Sequence, residues 1–216
     1  MSYKNIIFDL DGTLVDSFVG VTKSIQHALS NFDVKVPRLE DLGWCIGPPL
    51  SHSFKKLLNT EDDEIIKKEL VLYREYYQEH AISHHSLYEN AEFILKSIKK
   101  ENGFKLFILT GKLEKFAESV LKNFKLDNLF AGIHGAIMDK RFVKHETLEK
   151  MIKYYNLKKE QTIIIGDTNY DIIAGQKSNI ATIAVGHGYG DNQELKNLSP
   201  DYFCDDLSGV LSILKI

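Results

Sequence analysis

The sequence predicts an α/β fold, a parallel sheet with crossover helices that is interrupted near its start by a helical insertion. Three observations carry this. Ile6, Ile7 and Phe8 form a continuous apolar run of strand length, as in a strand covered on both faces. From Leu87 onward, helical stretches alternate with short apolar runs, "FKLFILT" (104–110), "IHGAI" (133–137), "TIIIGD" (162–167) and "ATIAVG" (181–186). With the first strand these make five parallel strands. Between the first strand and Leu87, residues 18–85 show helical periodicity and no strand-like run.

The first element is "KNIIFDLDGT" (4–13), which runs straight into two acids. If the chain is still extended there, Asp9 and Asp11 point to the same side. Like charges that close require either a split in their pKa values or a cation between them. Gly12 allows a sharp turn directly after. The plainer alternative is that Asp-Gly-Thr is only a turn with a helix cap behind it. An EF-hand loop starting at Asp9 is excluded, because its sixth residue is Leu14 instead of Gly and its twelfth is Gly20 instead of Glu.

The insertion begins with Phe18, Val21, Ile25, Ala28, Leu29 and Phe32 at helical spacing. It resumes with Ile65, Ile66, Leu70, Tyr73 and Tyr77 behind a Thr60-x-x-Asp63 capping pattern. Residues 1–17 and 86–216 therefore read as an α/β core domain and 18–85 as a helical domain, with hinges expected near Asp16 to Phe18 and Ser83 to Tyr88. Gly103, after "SIKKEN", reads as a helix C-cap leading into the second strand.

Composition narrows the function classes. A chain of 216 residues, 44% hydrophobic and 26% charged, suits one good core with a smaller insertion. A net charge of −3 and a pI near 6.2 argue against a nucleic-acid polymer or an anionic membrane as partner. Cys45 and Cys204 form no Cys-x-x-Cys pattern, which points to a reducing compartment and no zinc site. There is no signal-peptide pattern and no 18-residue apolar stretch, so a cytoplasmic location is expected.

Ligands of open parallel sheets bind beyond the carboxyl ends of the strands. Those ends carry Asp9 and Asp11, then Thr110, Gly111 and Lys112, then Gly166 and Asp167 with Asp171 four residues on. Four converging carboxylates form an oxygen-only cluster that suits Mg2+. Thr110 offers a hydroxyl and Gly111 a backbone N–H where a helix is expected to begin, both suited to an anion. The positive side chain is assigned to Lys144, ahead of a helical pattern through Leu148, Met151, Ile152 and Tyr155, although a lone lysine is otherwise read as a solvated surface charge.

The ordered set "DLDGTLVDS", "LTGK", Lys144 and "GDTNYD" resembles the four motifs of the haloacid dehalogenase superfamily of phosphatases, and the insertion resembles that superfamily's helical cap. The likeness covers nearly the whole chain. "GPPLSHSF" (47–54), "DKRFVKHE" (139–146) and "VGHGYGDNQEL" (185–195) resemble phosphoglycolate-phosphatase-like and, more closely, 5′-nucleotidase-like members.

The resemblance implies a Rossmann-like parallel core with an α-helical cap and a Mg2+-dependent phosphatase. Its substrate would be a small phosphorylated metabolite or a nucleoside monophosphate. Asp9 would be the nucleophile and Asp11 the acid and base. Mg2+ would be held by Asp9, the backbone carbonyl of Asp11, and Asp167, with Asp171 in support. Thr110, the Gly111 N–H and Lys144 would hold the transferring oxygens. Trp44 reads as core filler or as a substrate wall, the wall being favoured by the rigid turn of Gly47, Pro48 and Pro49 beside it, and with Gly47 and His52 it is expected to set specificity as the helical segment closes to exclude water.

Two features depart from the usual pattern. Gly111 stands where Ser or Asn is more usual, and no proline follows Lys144, so Lys112 competes for its role. His84 and His85 are adjacent, cannot both face one metal in a regular element, and read as a solvated linker. Arg141 reads equally as a surface residue or a substrate contact. Two rival functions are a phosphomutase of the same superfamily and a receiver-like binding module, in which the accepting aspartate would end a mid-chain strand instead of Thr110.

Overall fold

Asn5–Phe8 forms β1, buried on both faces as its apolar run requires. The computed structural model describes residues 3–101, 103–138 and 140–216, so Asn102 of "SIKKEN" and Asp139 of "DKRFVKHE" lie outside the described residues. The chain divides into two compact units, Met1–Asp16 with Leu87–Ile216, and Ser17–Ser86.

In chain order, β1 is followed by β2 (Val15–Asp16), α1 (Phe18–Leu29), α2 (Leu50–Leu58), α3 (Asp63–Tyr76) and β3 (Ser86–Leu87). Then come α4 (Ala91–Lys100), β4 (Lys105–Leu113), α5 (Glu114–Asn123), β5 (Phe130–Ala136), α6 (Lys144–Tyr154) and β6 (Thr162–Gly166). α7 (Asn169–Lys177), β7 (Ala181–Val185), α8 (Asn192–Asn197), β8 (Tyr202–Cys204) and α9 (Ser208–Leu214) complete the chain.

The first unit holds a parallel sheet in the order β5-β4-β1-β6-β7-β8. It has six strands, not the five read from the sequence. The added β8 spans only three residues, too few for a periodic signal. It is pinned by Asp201, whose Oδ2 accepts from the Thr182 N–H and hydroxyl, each at 2.9 Å. The chain steps outward from β1 to β4 and β5, then returns to β6 on the other side. The carboxyl ends of β1, β4 and β6 thus meet where the strand order reverses, the place where such sheets bind ligands.

One face of the sheet packs Ile7, Phe107, Leu109 and Ile164 against Leu148, Met151 and Ile152 of α6. Each such fully buried apolar side chain contributes roughly 1.5–3 kcal/mol. Strand periodicity turns Ile6, Phe8, Leu106 and Ile108, also fully buried, to the other face. Gly103 has φ +105°, but α4 ends at Lys100 with Glu101 already extended, so the glycine turns the connecting loop and does not cap the helix.

The second unit is built mainly of helices. α1, α2 and α3 bury Ile25, Leu29, Phe54, Ile66 and Tyr73, and a π-helical turn at Tyr77–Ala81 prolongs α3. α3 is capped by Asp62, which accepts from the Glu64 N–H at 2.9 Å, while Thr60 accepts from Asp62 itself, so the cap expected from Thr60 and Asp63 is shifted. Glu69 takes a core position on α3 with no exposed surface. His85 is buried against the Tyr77 hydroxyl at 3.3 Å, which corrects the solvated-linker reading for that histidine, while His84 is exposed. A side chain at position 20 would meet the Ala81 carbonyl at 2.6 Å and His85 Nε2 at 2.7 Å, so only Gly20 lets α1 come this close. Among the described residues, no helix is long and apolar enough to cross a membrane.

Candidate active site

Asp9 follows β1 immediately, its N–H still donating to the Ile165 carbonyl of β6 at 2.9 Å. Gly12, at φ +84°, then turns the chain tightly, with its N–H donating to Val15. A side chain at position 12 would lie 2.1 Å from Asp167 Oδ2, so the turn and the acid after β6 pack backbone to carboxylate.

Asp9, Asp167 and Asp171 are buried, with carboxylate oxygens within 4.8 Å of one another. Asp11 does not belong to this group, so the expected convergence of four carboxylates is three. Its Oδ2 pairs instead with Lys112 Nζ at 2.8 Å. Lys144, the first residue of α6, is buried and places Nζ 2.9 Å from Asp9 Oδ1 and 2.5 Å from Asp171 Oδ1. The two lysines that competed in the sequence thus take different partners.

Second contacts orient each acid. Asp167 accepts from the Thr13 hydroxyl at 2.9 Å and the Tyr189 N–H at 2.8 Å. Asp171 Oδ2 accepts from the N–H and hydroxyl of Thr168 at 3.1 and 2.7 Å, which caps α7 and leaves Oδ1 for Lys144. Side chains at positions 188 and 190 would meet Asp167 at 2.3 and 1.9 Å, so the two glycines shape the loop around that acid.

Thr110 is buried, and its hydroxyl accepts from the Lys112 N–H at 3.2 Å. β4 pairs Leu109 with His134 and next Leu113 with Ala136, so two extra residues bulge from the ladder around Thr110, Gly111 and Lys112. The bulge exposes Gly111. α5 starts only at Glu114, so Gly111 is not at a helix N-terminus as the sequence suggested. Trp44, Gly47 and His52 belong to the helical unit. Trp44 is 44% exposed, with Lys56 Nζ 5.6 Å from its ring, and Gly47 turns the chain at φ +103°. Arg141 is exposed.

Electrostatics define what this arrangement can hold. Burial pushes the Asp9 carboxyl up to about 7; Lys144 opposes this, and the charges of Asp171 and Asp11 add to it. Asp167 is also raised well above its ordinary range, by burial and then by Asp9 and Asp171. Burial alone would depress Lys144, but Asp171 and Asp9 outweigh it and keep the ammonium charged. Three buried acids with one ammonium among them remain short of positive charge. Their donors are all hard oxygens, so a divalent cation such as Mg2+ fits the residues present.

Thr13 and Tyr189 are contacts of the acidic cluster that sequence reasoning missed. Thr13 was legible only as a turn residue, and the glycines flanking Tyr189 in "GHGYG" were the one signal for the loop around Asp167.

Comparison with known proteins follows the same geometry. A model of the haloacid dehalogenase-like hydrolase family matches residues 6–185. A 5′-nucleotidase of Pseudomonas aeruginosa is 31% identical over 217 residues, covering 100% of this chain and 97% of the relative. Pyrophosphatase PpaX of Halalkalibacterium halodurans is 33% identical, covering 100% and 99%. A solved structure described as a predicted phosphatase from Clostridium acetobutylicum superposes with a TM-score of 0.93 at 34% identity, covering 100% of both chains.

Proposed function

Because the chain belongs to the haloacid dehalogenase-like hydrolase family and is a phosphatase, we propose that it cleaves small phosphate monoesters in two steps through Asp9, with Mg2+. The observation that carries this reading is the buried group of Asp9, Asp167, Asp171 and Lys144 at the carboxyl ends of β1 and β6.

In the first step an Asp9 carboxylate oxygen attacks phosphorus, the bond to the leaving oxygen breaks, and Asp11 donates a proton to that oxygen. In the second, water attacks the phosphorus of the aspartyl phosphate, Asp11 takes the water's proton, and inorganic phosphate departs as Asp9 is restored. Lys144 neutralises the transferring oxygens, and Thr110 and the N–H of Gly111, which lies in the bulge, hold them. Asp9, Asp167 and the Asp11 carbonyl, with Asp171 in support, would hold Mg2+, which when bound would supply positive charge beside Asp9 and the phosphoryl oxygens. Asp171 keeps Lys144 in place.

For substrate we propose nucleoside 5′-monophosphates ahead of phosphoglycolate, with Trp44, Gly47 and His52 reading the leaving group. The full-length likeness to the P. aeruginosa 5′-nucleotidase supports this. The comparable likeness to the H. halodurans pyrophosphatase makes pyrophosphate the second reading. Membership of a hydrolase family sets the receiver-like reading aside. The test is phosphate release from nucleoside monophosphates, pyrophosphate, phosphoglycolate and sugar phosphates, without a bisphosphate activator. Release from a nucleoside monophosphate above all others is expected. Pyrophosphate or phosphoglycolate at the top overturns the substrate, and turnover only with a bisphosphate activator favours the mutase.

A further inference from the structure

The loop 186–190, after β7, touches more of the site than any motif predicted. Its Tyr189 N–H donates to Asp167 Oδ2 at 2.8 Å, and its Tyr189 hydroxyl donates to Asp16 Oδ1 at 2.7 Å. Tyr189 is also hydrogen-bonded to Tyr88. Two residues earlier, His187 Nε2–H donates to the Thr13 carbonyl at 3.0 Å, and the His187 ring meets that of Tyr88 edge-on at 4.3 Å between centroids. Thr13 in turn gives its hydroxyl to Asp167.

Asp16 is the last residue before the chain leaves the α/β unit, and Tyr88 is the second after it returns. One short loop therefore holds an acid of the metal cluster and both crossing segments at once. Gly188 packs against the Asp167 side chain and Gly190 against the Asp167 main-chain carbonyl, so the loop lies in close contact with both ends of that residue.

We propose that Tyr189 is a positioning residue that couples the Asp167 carboxylate to the two crossing segments through its hydroxyl bond to Asp16. Metal affinity at Asp167 and the order of the crossings are then linked, each strengthening the other. This rests on the metal reading given above. The Tyr189 hydroxyl does not touch the reacting atoms. It fixes the loop, and the loop's backbone N–H fixes Asp167.

The test is calorimetric titration of Mg2+ into the whole protein, with hydrogen exchange of residues 13–16 and 87–89 with and without saturating Mg2+. Tyr189→Phe and Asp16→Ala are each expected to weaken Mg2+ binding about three- to tenfold, the size of one net hydrogen bond. Asp16→Asn keeps an acceptor and is expected to stay within about twofold of wild type. The Tyr189→Phe, Asp16→Ala double variant is expected to lose no more than the worse single variant. Exchange at both crossings is expected to slow on Mg2+ addition in wild type and to respond less in Tyr189→Phe. Wild-type Mg2+ affinity in Tyr189→Phe, or additive losses in the double variant, overturns the coupling. Asp167→Ala separates the two failures: if it leaves Mg2+ binding intact, the metal reading itself falls and the coupling with it.

Discussion

Lys112 Nζ lies 2.8 Å from Asp11 Oδ2, with side chains only 6% and 14% exposed. Lys144 instead serves Asp9 and Asp171. Two lysines on two different aspartates call for two different kinetic signatures. Lys144→Met is expected to lower kcat/KM by about a hundredfold or more on every substrate, since it removes charge from the transferring group. Lys112→Met is expected to hurt alkyl phosphates, whose leaving oxygen needs a proton, more than aryl phosphates, which leave unaided. Rates over a leaving-group series distinguish them, and equal losses across the series with Lys112→Met refute a role through Asp11.

Asp9→Asn is expected to fold and to lose about three orders of magnitude or more in turnover, because an amide cannot accept the phosphoryl group. It is also expected to raise the melting temperature measured without divalent cations, since one charge leaves a crowded acidic cluster. Substantial residual phosphatase activity in a pure preparation removes Asp9 from the nucleophile role.

Metal dependence follows from the hard-oxygen donor set. Mg2+ is expected to support turnover and Ca2+ to do so poorly, because its larger, looser shell misplaces the attacking oxygen. Excess chelator is expected to abolish activity and Mg2+ to restore it. Full activity in chelator contradicts the assignment.

Glu69 supplies a pH signature far simpler than that of the acidic cluster. It has no exposed surface, neither carboxyl oxygen finds a hydrogen-bond partner among the described residues, and burial pushes the group up from 4.5 to about 7. Below pH 4.5 both folded and unfolded chains carry it protonated, at no cost to stability. As pH rises from 4.5 to 7 only the unfolded chain ionises, so stability falls, with a total penalty on the order of 3 kcal/mol above pH 7. Glu69→Gln keeps the polarity and removes the charge. Denaturant unfolding is expected to show it more stable than wild type at pH 8 and equal at pH 4; equal stability at both refutes the buried-acid account.

Trp44→Ala and His52→Ala test the helical unit's part in specificity. Each is expected to change relative kcat/KM among substrates by about tenfold, some 1.4 kcal/mol, while leaving Mg2+ dependence intact. An unchanged ranking of the substrate panel removes both residues from leaving-group recognition.

Much of this molecule is local in origin and so was readable from the chain alone. The apolar runs of β1, β4, β6 and β7, the helical texture of 18–85, and the acids placed just after strands are short-range patterns of period and spacing. The sheet rule then assigns those acids to one edge. Only the tertiary structure decided which groups meet there. Thr13 and Asp167 are 154 residues apart, and their 2.9 Å bond exists because β1 and β6 pair in one register. The separation of Lys112 from Lys144, the bulge at Thr110 to Lys112 in the β4–β5 pair and the Tyr189 loop after β7 are likewise long-range, and no window of sequence contains them. β8 was too short to signal itself, and Glu69 broke the apolar pattern of α3 because burial there is imposed by neighbouring helices and not by its own chemistry. Sequence determined which chemical groups this protein has and on which elements they ride; packing determined which pairs lie within hydrogen-bond distance, since a one-residue slip of a strand would turn that strand's side chains to the opposite face and separate the groups its register brings together.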